Sequence, residues 1–526
     1  MQLRVWAPRP ERVDLVIGSQ RLPMTKGAGD WWSVEAPGAG PGTDYAFSLD
    51  GDDPRPDPRS PWQPNGVHGP SRVVDHSAFA WSGARPKVDL ASAVLYELHI
   101  GTFSEAGTFD GAIEHLDHVV ALGATAVEVM PIAEFPGARN WGYDGVDLYA
   151  PHHAYGGPDG FKRFVDACHQ RGLGVVLDVV YNHFGPEGCY VDRFGPYHTD
   201  FFTTPWGAAV NYDRAGSDEV RRFVLDNAAM WFADYRVDGL RLDAVPNIID
   251  LSALHLLEEL STSPGFLIGE SDGNDPRYFA LGLDATWNDD LHHALHVALT
   301  GEREAYYADY DGVADLAAVL QRGWVVARRW SPYRQRTHGR RFTGNGGQLV
   351  GYAQNHDQVG NRACGDRLTP SQLKVAAAIV LTAPFVPMLF MGEEWGASTP
   401  FQYFTDHTDP ALATAVTEGR RREFREFAAK VGSEVPDPQD PATFTRSKLD
   451  WSERSTPEHA ELLEWYRSLI ALRRATPELL DGRLDEVRTK VDGARLTIER
   501  GPVTVEADFS TLDVSVRPPS PPGSPS

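Results

Sequence analysis

Between about Ser92 and Asp481, short apolar runs alternate with longer segments in which apolar residues recur every three or four positions. The short runs predict buried strands, and the longer periodic segments predict amphipathic helices. The candidate strands span Leu95–Thr102, Ala126–Ile132, Gly174–Tyr181, Gly239–Ala244, Phe266–Glu270, Ala285–Trp287, Leu349–Gln354 and Phe385–Met391. Eight strands that alternate with helices predict a closed parallel barrel, the (β/α)8 TIM barrel of the α/β class.

Three local patterns predict structural roles for further residues. Cys168 shares a helical spacing with apolar residues upstream, and Gly172 follows as a stop signal, so Cys168 is predicted to pack in the core. Ser217 is expected to cap a later helix. The apolar stretch Val375–Met391 approaches the length of a membrane span, but two prolines interrupt it. We interpret it as a buried helix followed by a buried strand.

The chain outside the barrel has a different pattern. LRVWAPRP, VDLVIG, WWSVEA and YAFSLDG are short, partly alternating runs separated by turn residues, which predicts an N-terminal β-sandwich over residues 1–89. The barrel should occupy residues 90–481, with an insert at about 184–213 that forms a flap beside the cleft. Residues 482–516 predict a small C-terminal β region, and the Pro- and Ser-rich residues 517–526 are expected to be disordered.

Composition narrows the classes of function. The formal net charge of −24, without a run of basic residues, predicts repulsion of phosphate backbones and anionic lipids, so neither nucleic acid nor membrane is an expected partner. The three cysteines are widely spaced and form no CxxC pair, which argues against a disulfide framework or a zinc site. The first residues lack the features of a secretory signal, so we expect a cytoplasmic protein.

Three carboxylates stand at the C-terminal ends of predicted strands: Asp243 in GLRLDA, Glu270 in FLIGES and Asp357 in GYAQNHD. In a parallel barrel these strand ends converge on one face, where active sites lie. A group of carboxylates at such a place is what cleavage of a glycosidic bond through a cationic transition state requires. The alternative is that each acidic side chain only caps the helix that follows its strand.

Four blocks make the pattern more specific: DVVYNH at Asp178–His183, GLRLDA, the strand that ends at Glu270, and QNHD. They resemble the four signature regions of the α-amylase superfamily of retaining glycoside hydrolases and transglycosylases. Further stretches, among them FPGARNWGYDGVDLYAPHHAYGGPDGF, ESDGNDPR and WNDDLHHALHVALTGE, resemble the subfamily of trehalohydrolases that act on maltooligosyltrehalose.

The resemblance implies a role for each member of the trio. Asp243 would be the nucleophile that forms a covalent glycosyl-enzyme, and Glu270 the general acid and base. Asp357 would bind sugar hydroxyls and favour distortion toward the oxocarbenium ion. Glu270 needs a raised pKa for this role, and the negative charge of Asp243 should supply part of the shift. Retention of anomeric configuration is expected.

The resemblance also implies a set of substrate-binding or supporting residues. They are Arg241, His183, His356, Tyr143, Asp178, Trp206 and Arg362. Arg241 would orient Asp243, the histidines would bind hydroxyls, and Tyr143 would form an aromatic platform. Trp206 in the flap would stack on the trehalose end of the substrate.

Other interpretations of these residues remain open. Asp178 and Arg241 also fit a structural ion pair, Trp206 fits flap packing, and Tyr143 fits the core. The pair His152 and His153, and a helical face with Asp289, His292, His293 and His296, permit metal ligation by spacing alone. The resemblance implies neither a metal nor a cofactor.

Three functions follow from these observations. The first is hydrolysis of the α-1,4 bond next to the terminal trehalosyl unit of maltooligosyltrehalose, within trehalose biosynthesis. The second is a glycogen branching or debranching enzyme of the same superfamily. The third is a catalytically inactive barrel that binds glucan. The first implies a pathway partner, a synthase that isomerises the reducing end of maltooligosaccharides.

Overall fold

A computed structural model describes residues 1–83, 85–425 and 434–518. All eight predicted strands are present, and they close into one parallel barrel in which each strand pairs with its neighbour in the chain and the eighth pairs with the first. The (β/α)8 fold is therefore confirmed. The barrel strands, which we number 1 to 8, span Leu95–Leu98, Ala126–Val129, Gly174–Val179, Gly239–Leu242, Phe266–Gly269, Ala285–Trp287, Leu349–Tyr352 and Val386–Phe390.

The strands explain why polar residues lie inside the barrel. Successive side chains of a strand point to opposite faces, so residues two apart share the interior. The interior apolar cluster contains Leu95, Ala126 and Val176 of strands 1, 2 and 3. Two residues further along each of these strands come Glu97, Glu128 and Asp178, and all three are buried. An apolar layer thus lies beneath a charged layer at the C-terminal end of the barrel.

Helices connect the strands and pack outside them. Cys168 is fully buried in the helix Gly157–Gln170, which confirms its packing role. The prediction for Ser217 is wrong, because the cap position of the helix Ser217–Ala233 is occupied by Gly216 in a left-handed conformation. In the described part of the chain the α-helices are Ile100–Phe103, Phe109–Ile113, Leu116–Leu122, Gly157–Gln170, Val191–Phe194, Ser217–Ala233, Leu256–Leu260, Arg277–Ala280, Asp289–Thr300, Val313–Arg322, His356–Gly360, Pro370–Thr382, Pro410–Glu423, Pro441–Arg446, Pro457–Ala475 and Pro477–Leu480.

The apolar stretch before residue 391 forms a helix and a strand, as predicted. The helix Pro370–Thr382 begins with a capping box between Thr369 and Gln372, and strand 8 follows it. Such a box satisfies backbone N–H groups that the first helical turn leaves free. Among the described helices, none combines the length and the low polarity needed to cross a bilayer.

Two small antiparallel sheets precede the barrel. One pairs Gln2–Trp6, Trp31–Glu35 and Thr25–Lys26, and the other pairs Gln20–Pro23, Val13–Ile17, Asp44–Leu49 and Ser71–Arg72. They contact the insert that follows strand 3: Trp6 packs edge-on against Tyr197, and Phe47 against Phe194. The extra β structure at the N-terminus confirms this part of the predicted fold class.

The insert contains the helix Val191–Phe194 and a hairpin of His198–Thr204 and Gly207–Val210. Trp206 lies in the turn of this hairpin and is 50% exposed. Two further pairs of short strands project from the barrel region, Ala133–Glu134 with Asp147–Pro151 and Arg329–Ser331 with Arg336–His338.

The C-terminal region is a four-stranded antiparallel sheet of Val487–Asp492, Arg495–Arg500, Val503–Asp508 and Asp513–Arg517. The runs EVRTKVDG, ARLTIERG and PVTVEAD predict the first three strands. The fourth, DVSVR, gives no such signal because it contains only two apolar residues. Buried and exposed side chains alternate along the third strand, as expected for a sheet with one covered face. The tail predicted to be disordered spans residues 517–526. The prediction is wrong for Arg517, which ends the fourth strand, and residues 519–526 lie outside the described residues. The exact domain boundaries remain predictions.

One buried arginine joins the last long helix to the barrel and generates a stability prediction. Arg473 is 1% exposed, and its guanidinium donates to the carbonyl oxygens of Leu381, Ala383 and Phe385. Arg473→Met should lower the free energy of unfolding by about 2–4 kcal/mol, because it leaves buried carbonyl groups without donors. Urea denaturation followed by circular dichroism measures the change.

The neighbouring Arg474 is exposed and serves as the control. Arg474→Met should change the free energy of unfolding by less than about 0.5 kcal/mol. Equal effects of the two substitutions would contradict the role assigned to the buried guanidinium.

Candidate active site

The three carboxylates lie at the C-terminal end of the barrel. Asp243 follows strand 4, Glu270 follows strand 5, and Asp357 is the second residue of the helix His356–Gly360 after strand 7. None of the three is the cap residue of the next helix. Those positions are held by Ala244, Pro276 and Asn355. The structure therefore contradicts the capping alternative and brings the trio to one face.

Arg241 lies at the centre of the site and is completely buried. One of its terminal nitrogens (Nη1) lies 2.7 Å from Asp178 and 3.1 Å from Asp243, and the other (Nη2) lies 2.8 Å from Glu270. Burial lowers the pKa of Arg241, but the surrounding carboxylates, with Asp178 the largest contributor, raise it well above its usual value. A single guanidinium thus bridges Asp243 and Glu270 and keeps both near one point of the cleft.

Asp243 has a second partner that the sequence left unassigned. The amide nitrogen of Asn182 donates to the Oδ2 atom of Asp243 at 2.7 Å and to its backbone oxygen at the same distance. Arg241 binds the other carboxylate oxygen. These hydrogen bonds fix the carboxylate plane. The DVVYNH motif contained the signal, since Asn182 immediately precedes the candidate sugar-binding His183.

Glu270 differs from Asp243 in its surroundings. Its Oε2 atom accepts from Arg241 and, at 2.9 Å, from the backbone nitrogen of Ala244. Ala244 has a φ of 39°, a left-handed conformation that is uncommon for a residue with a side chain and typical of functional sites. Burial raises the pKa of Glu270, Arg241 opposes the shift, and Asp243 adds to it. This direction fits a carboxyl group that must donate a proton.

Tyr143 and His356 connect the trio to the barrel interior. The Tyr143 hydroxyl donates to Asp178 at 2.6 Å and contacts Nε2 of His356 at 2.8 Å, and the two rings stack. His356 Nε2 also lies 3.5 Å from Asp357. The side chain of Asp357 is 33% exposed, and burial raises its pKa. Tyr143 therefore belongs to the polar network of the site.

The flap contributes Trp206, which stacks on His183 with ring centroids 4.6 Å apart and an interplanar angle of 10°. His183 itself contacts the backbone oxygen of Tyr143 at 3.0 Å. Trp206 therefore packs on His183 and lines the cavity that contains Glu270 and Asp357, while its stacking on substrate remains a prediction.

This cavity has a volume of about 300 Å³. Sequence reasoning missed three of its lining residues, Tyr306, Tyr333 and Arg334, and considered two others, Asp289 and His293, only as metal ligands. Aromatic rings and charged groups together form the kind of surface that binds sugars. A larger cavity of about 830 Å³ lies near Trp324 and Gly482, and it includes none of the predicted site residues.

Arg362 lies apart from the other predicted residues. Its guanidinium binds Glu302 through two contacts of 2.9 Å and Asp366 through one of 2.7 Å. It lines a neighbouring cavity of about 310 Å³ together with Gln358, which also lines the cavity of the trio. Contact of Arg362 with substrate remains a prediction, and its contacts also fit a structural ion-pair role.

The histidine clusters are engaged in hydrogen bonds. Nδ1 of His152 accepts from the backbone nitrogen of Ala154, so Nε2 carries the hydrogen and faces the carbonyl oxygen of Phe135. This arrangement leaves His152 without a free lone pair for a metal, although Glu134 and His153 lie beside it. His292 likewise contacts the carbonyl oxygen of Ala353 and the hydroxyl of Tyr307. These contacts fit structural roles.

Comparisons with known proteins agree with this geometry. The alpha-amylase catalytic-domain family matches residues 85–206. Malto-oligosyltrehalose trehalohydrolase from Arthrobacter ramosus is 49% identical over 95% of this chain and 91% of the relative. The enzyme of the same name from Rhizobium sp. is 48% identical over 97% of this chain and 91% of the relative. The chain belongs to the malto-oligosyltrehalose trehalohydrolase family.

The members of the trehalohydrolase family named above match almost the whole chain. A 1,4-alpha-glucan branching enzyme from Vibrio parahaemolyticus is 32% identical over only 57% of this chain and 42% of the relative. A crystal structure of a protein from Salmonella typhimurium that is described as an alpha amylase matches with a TM-score of 0.89 and 40% identity. The match covers 96% of this chain and 90% of the other. The match over the full length distinguishes the trehalohydrolase family from the branching enzymes.

The three contacts of Arg241 generate a second prediction. Arg241→Leu leaves the buried carboxylates without their cation and should lower the free energy of unfolding at neutral pH by about 3–5 kcal/mol. Burial already raises the folded-state pKa values of Asp178 and Glu270, and loss of Arg241 raises them further above the unfolded-state values. The deficit should therefore shrink as the pH falls and these groups become protonated. Denaturant melts at pH 7 and pH 5 measure both effects.

Arg241→Lys is the control, since it keeps a positive charge but not the planar group that bridges Asp243 and Glu270. It should recover part of the stability and little of the activity. A Leu variant as stable as the parent protein at pH 7 would contradict the assigned charge balance.

Proposed function

We propose that the chain hydrolyses the α-1,4-glucosidic bond adjacent to the terminal trehalosyl unit of maltooligosyltrehalose and releases trehalose and a maltooligosaccharide. The observation that carries the proposal is the guanidinium of Arg241, which bridges Asp243 and Glu270 at the mouth of the barrel. Membership of the trehalohydrolase family supplies the substrate class. The reaction belongs to trehalose biosynthesis and carbohydrate metabolism.

In the first step Asp243 attacks the anomeric carbon of the glucosyl unit while Glu270 donates its proton to the departing glycosidic oxygen. The C1–O bond to the trehalosyl unit breaks, trehalose leaves, and a covalent glycosyl-Asp243 ester forms. Asn182 and Arg241 orient the attacking carboxylate by two charge-assisted contacts. Burial supports the proton on Glu270 before the reaction.

In the second step Glu270, now ionised, removes a proton from water, and the resulting oxygen nucleophile attacks C1 from the side that trehalose left. The ester bond to Asp243 breaks, and the configuration at the anomeric carbon is retained. Asp357 interacts with ring hydroxyls and favours the flattened, positively charged transition state. Its pKa is raised by burial, and the nearby His356 opposes the shift.

The residues around the trio bind the sugar. We assign His183, His356 and Tyr143 to the glucosyl unit whose bond is cleaved. On the other side of Glu270, the cavity offers Trp206, Tyr306 and Tyr333 as apolar surfaces, together with the polar groups of Asp289 and Arg334. We assign the trehalosyl end of the substrate to this cavity, because trehalose presents two rigid glucose rings with many hydroxyl groups.

The alternatives have less support. A branching enzyme matches only part of the chain, and an inactive barrel has no need to hold Asp243 between Asn182 and Arg241. We further propose a cytoplasmic location and a partner synthase that supplies the substrate. The proposed reaction requires neither a metal nor a cofactor.

Product analysis tests the function directly. Purified protein is incubated with maltotriosyltrehalose, with amylose and with a branched glucan, and the products are separated by chromatography. Trehalose and maltotriose should be the main products from the first substrate. Chain transfer, or cleavage of α-1,6 bonds without release of trehalose, would reject the proposal. Proton NMR of the fresh product should show the α-anomer at the new reducing end.

The proton on Glu270 generates a further prediction. Because its pKa is raised, kcat/KM should fall only as the pH rises through that raised value, where the protonated form disappears. Glu270→Gln should lower kcat by about 10²–10⁴-fold and remove this alkaline limb, since the amide does not titrate. Initial rates across the pH range measure both effects.

Glu499 lies exposed on the C-terminal sheet and offers a matched control. Glu499→Gln should leave the rate and the alkaline limb unchanged. Full activity of the Glu270 variant with maltotriosyltrehalose would refute its role as the general acid.

A further inference from the structure

His356 contacts a buried glutamate of the barrel interior that is not among the predicted site residues. Glu97 on strand 1 is 1% exposed, and both of its carboxylate oxygens contact His356. One oxygen lies 2.5 Å from Nδ1 of the His356 ring, and the other accepts from the His356 backbone nitrogen at 2.9 Å. The two contacts fix the ring plane, while Nε2 points toward Tyr143 and Asp357.

The hydrogen bonds around Tyr143 determine where His356 carries a hydrogen. The Tyr143 hydroxyl has one hydrogen, and it is directed to Asp178, which also receives a hydrogen bond from Arg241. The contact between the Tyr143 oxygen and His356 Nε2, at 2.8 Å, must therefore use a hydrogen on Nε2. His356 is thus a donor at the nitrogen that faces the cleft.

Glu97 contacts the other ring nitrogen of His356, Nδ1. A single hydrogen lies between its carboxylate and Nδ1, either on the carboxyl oxygen or on the ring nitrogen. Burial raises the pKa of Glu97 to about 8 and lowers the pKa of His356, and both shifts favour a neutral pair with the hydrogen on the carboxyl group. In either form the net charge of the pair is the same and Nε2 keeps its hydrogen.

We propose that Glu97 is a positioning residue that locks the ring of His356, with the hydrogen on Nε2 directed to Tyr143, so that the ring keeps a fixed orientation beside the glucosyl unit attacked by Asp243. The proposal rests on the proposed function for the identity of the sugar. The lock itself is a property of the free protein. It gives the buried carboxyl group of strand 1 a part in substrate recognition, although Glu97 does not reach the substrate.

Glu128 provides a matched comparison within the same layer of the barrel. It pairs in register with Glu97 on the neighbouring strand, and both side chains are buried. Burial raises the pKa of Glu128 to about 8, as it does for Glu97. Within the described structure its carboxylate forms no hydrogen bond to His356. A purely structural role of buried glutamates would make the two residues equally important for the ring of His356.

The test is a nitrogen NMR measurement on protein labelled with ¹⁵N-histidine. The His356 signals are identified by their loss in His356→Gln. In the parent protein, Nε2 should show the shift of a nitrogen that carries hydrogen. Glu97→Gln should preserve this form, because an amide can accept from the His356 backbone and donate to Nδ1. Glu97→Leu should release the ring into a mixture of tautomers, and Glu128→Leu should not.

Kinetics with maltotriosyltrehalose give the second readout. Glu97→Leu should lower kcat/KM on the order of tenfold to a hundredfold, as expected when a side chain of the sugar-binding wall loses its fixed orientation. Glu97→Gln should remain within about threefold of the parent protein, since its hydrogen-bond geometry is preserved. Thermal melts confirm that the variants compared are folded.

Two results would overturn the proposal: an Nε2 without hydrogen in the parent protein, or a Glu97→Leu variant whose tautomer and kcat/KM match those of the parent. The first measurement needs no variant and therefore decides the question even if Glu97→Leu does not fold. If the parent protein released no trehalose, the proposed function would fail, but the NMR result would still establish or refute the lock.

Discussion

The site depends on one buried cation among several carboxylates. Arg241 is the only positive charge in direct contact with Asp178, Asp243 and Glu270 in the described structure, and the ring of Trp287 lies 4.1 Å from its guanidinium carbon. Burial raises the pKa of Asp178 and of Glu270, and this single cation opposes both shifts. Asp243, with two hydrogen-bonded oxygens, suits attack, whereas Glu270, with a raised pKa, suits proton donation. A shared cation thus allows two carboxyl groups to perform different tasks.

The strand alternation that builds the barrel also builds this charge balance. Residues two apart on each strand face the interior, so one apolar layer supports a polar layer above it. Glu97, Glu128, Asp178 and Arg241 occupy that upper layer on four different strands. The apolar residues beneath them exclude water, which strengthens the electrostatic contacts above and makes any unmatched charge costly. The same side chains therefore affect both the stability of the barrel and the chemistry of the site.

Much of this arrangement was predictable from sequence. Apolar runs predicted the eight strands, and the short motifs predicted that Asp243, Glu270 and Asp357 share one face. Contacts across the closed barrel were harder to predict. The sequence does not reveal the role of Glu97, because its partner His356 lies some 260 residues later in the chain. Only closure of the barrel brings the two residues together. Tyr333 and Arg334 lie in a segment without clear apolar periodicity, and only the pairing of Arg329–Ser331 with Arg336–His338 brings them to the cavity.

The N-terminal sheets support one wall of the cleft. Trp6 and Phe47 contact Tyr197 and Phe194, which lie in the insert that carries Trp206. The wall of the cleft is therefore anchored on a domain that contributes no member of the catalytic trio. Substitutions in that domain can change the height and angle of the wall while the bond-breaking groups stay fixed. The support of the cleft wall and the bond-breaking groups therefore lie in separate parts of the chain.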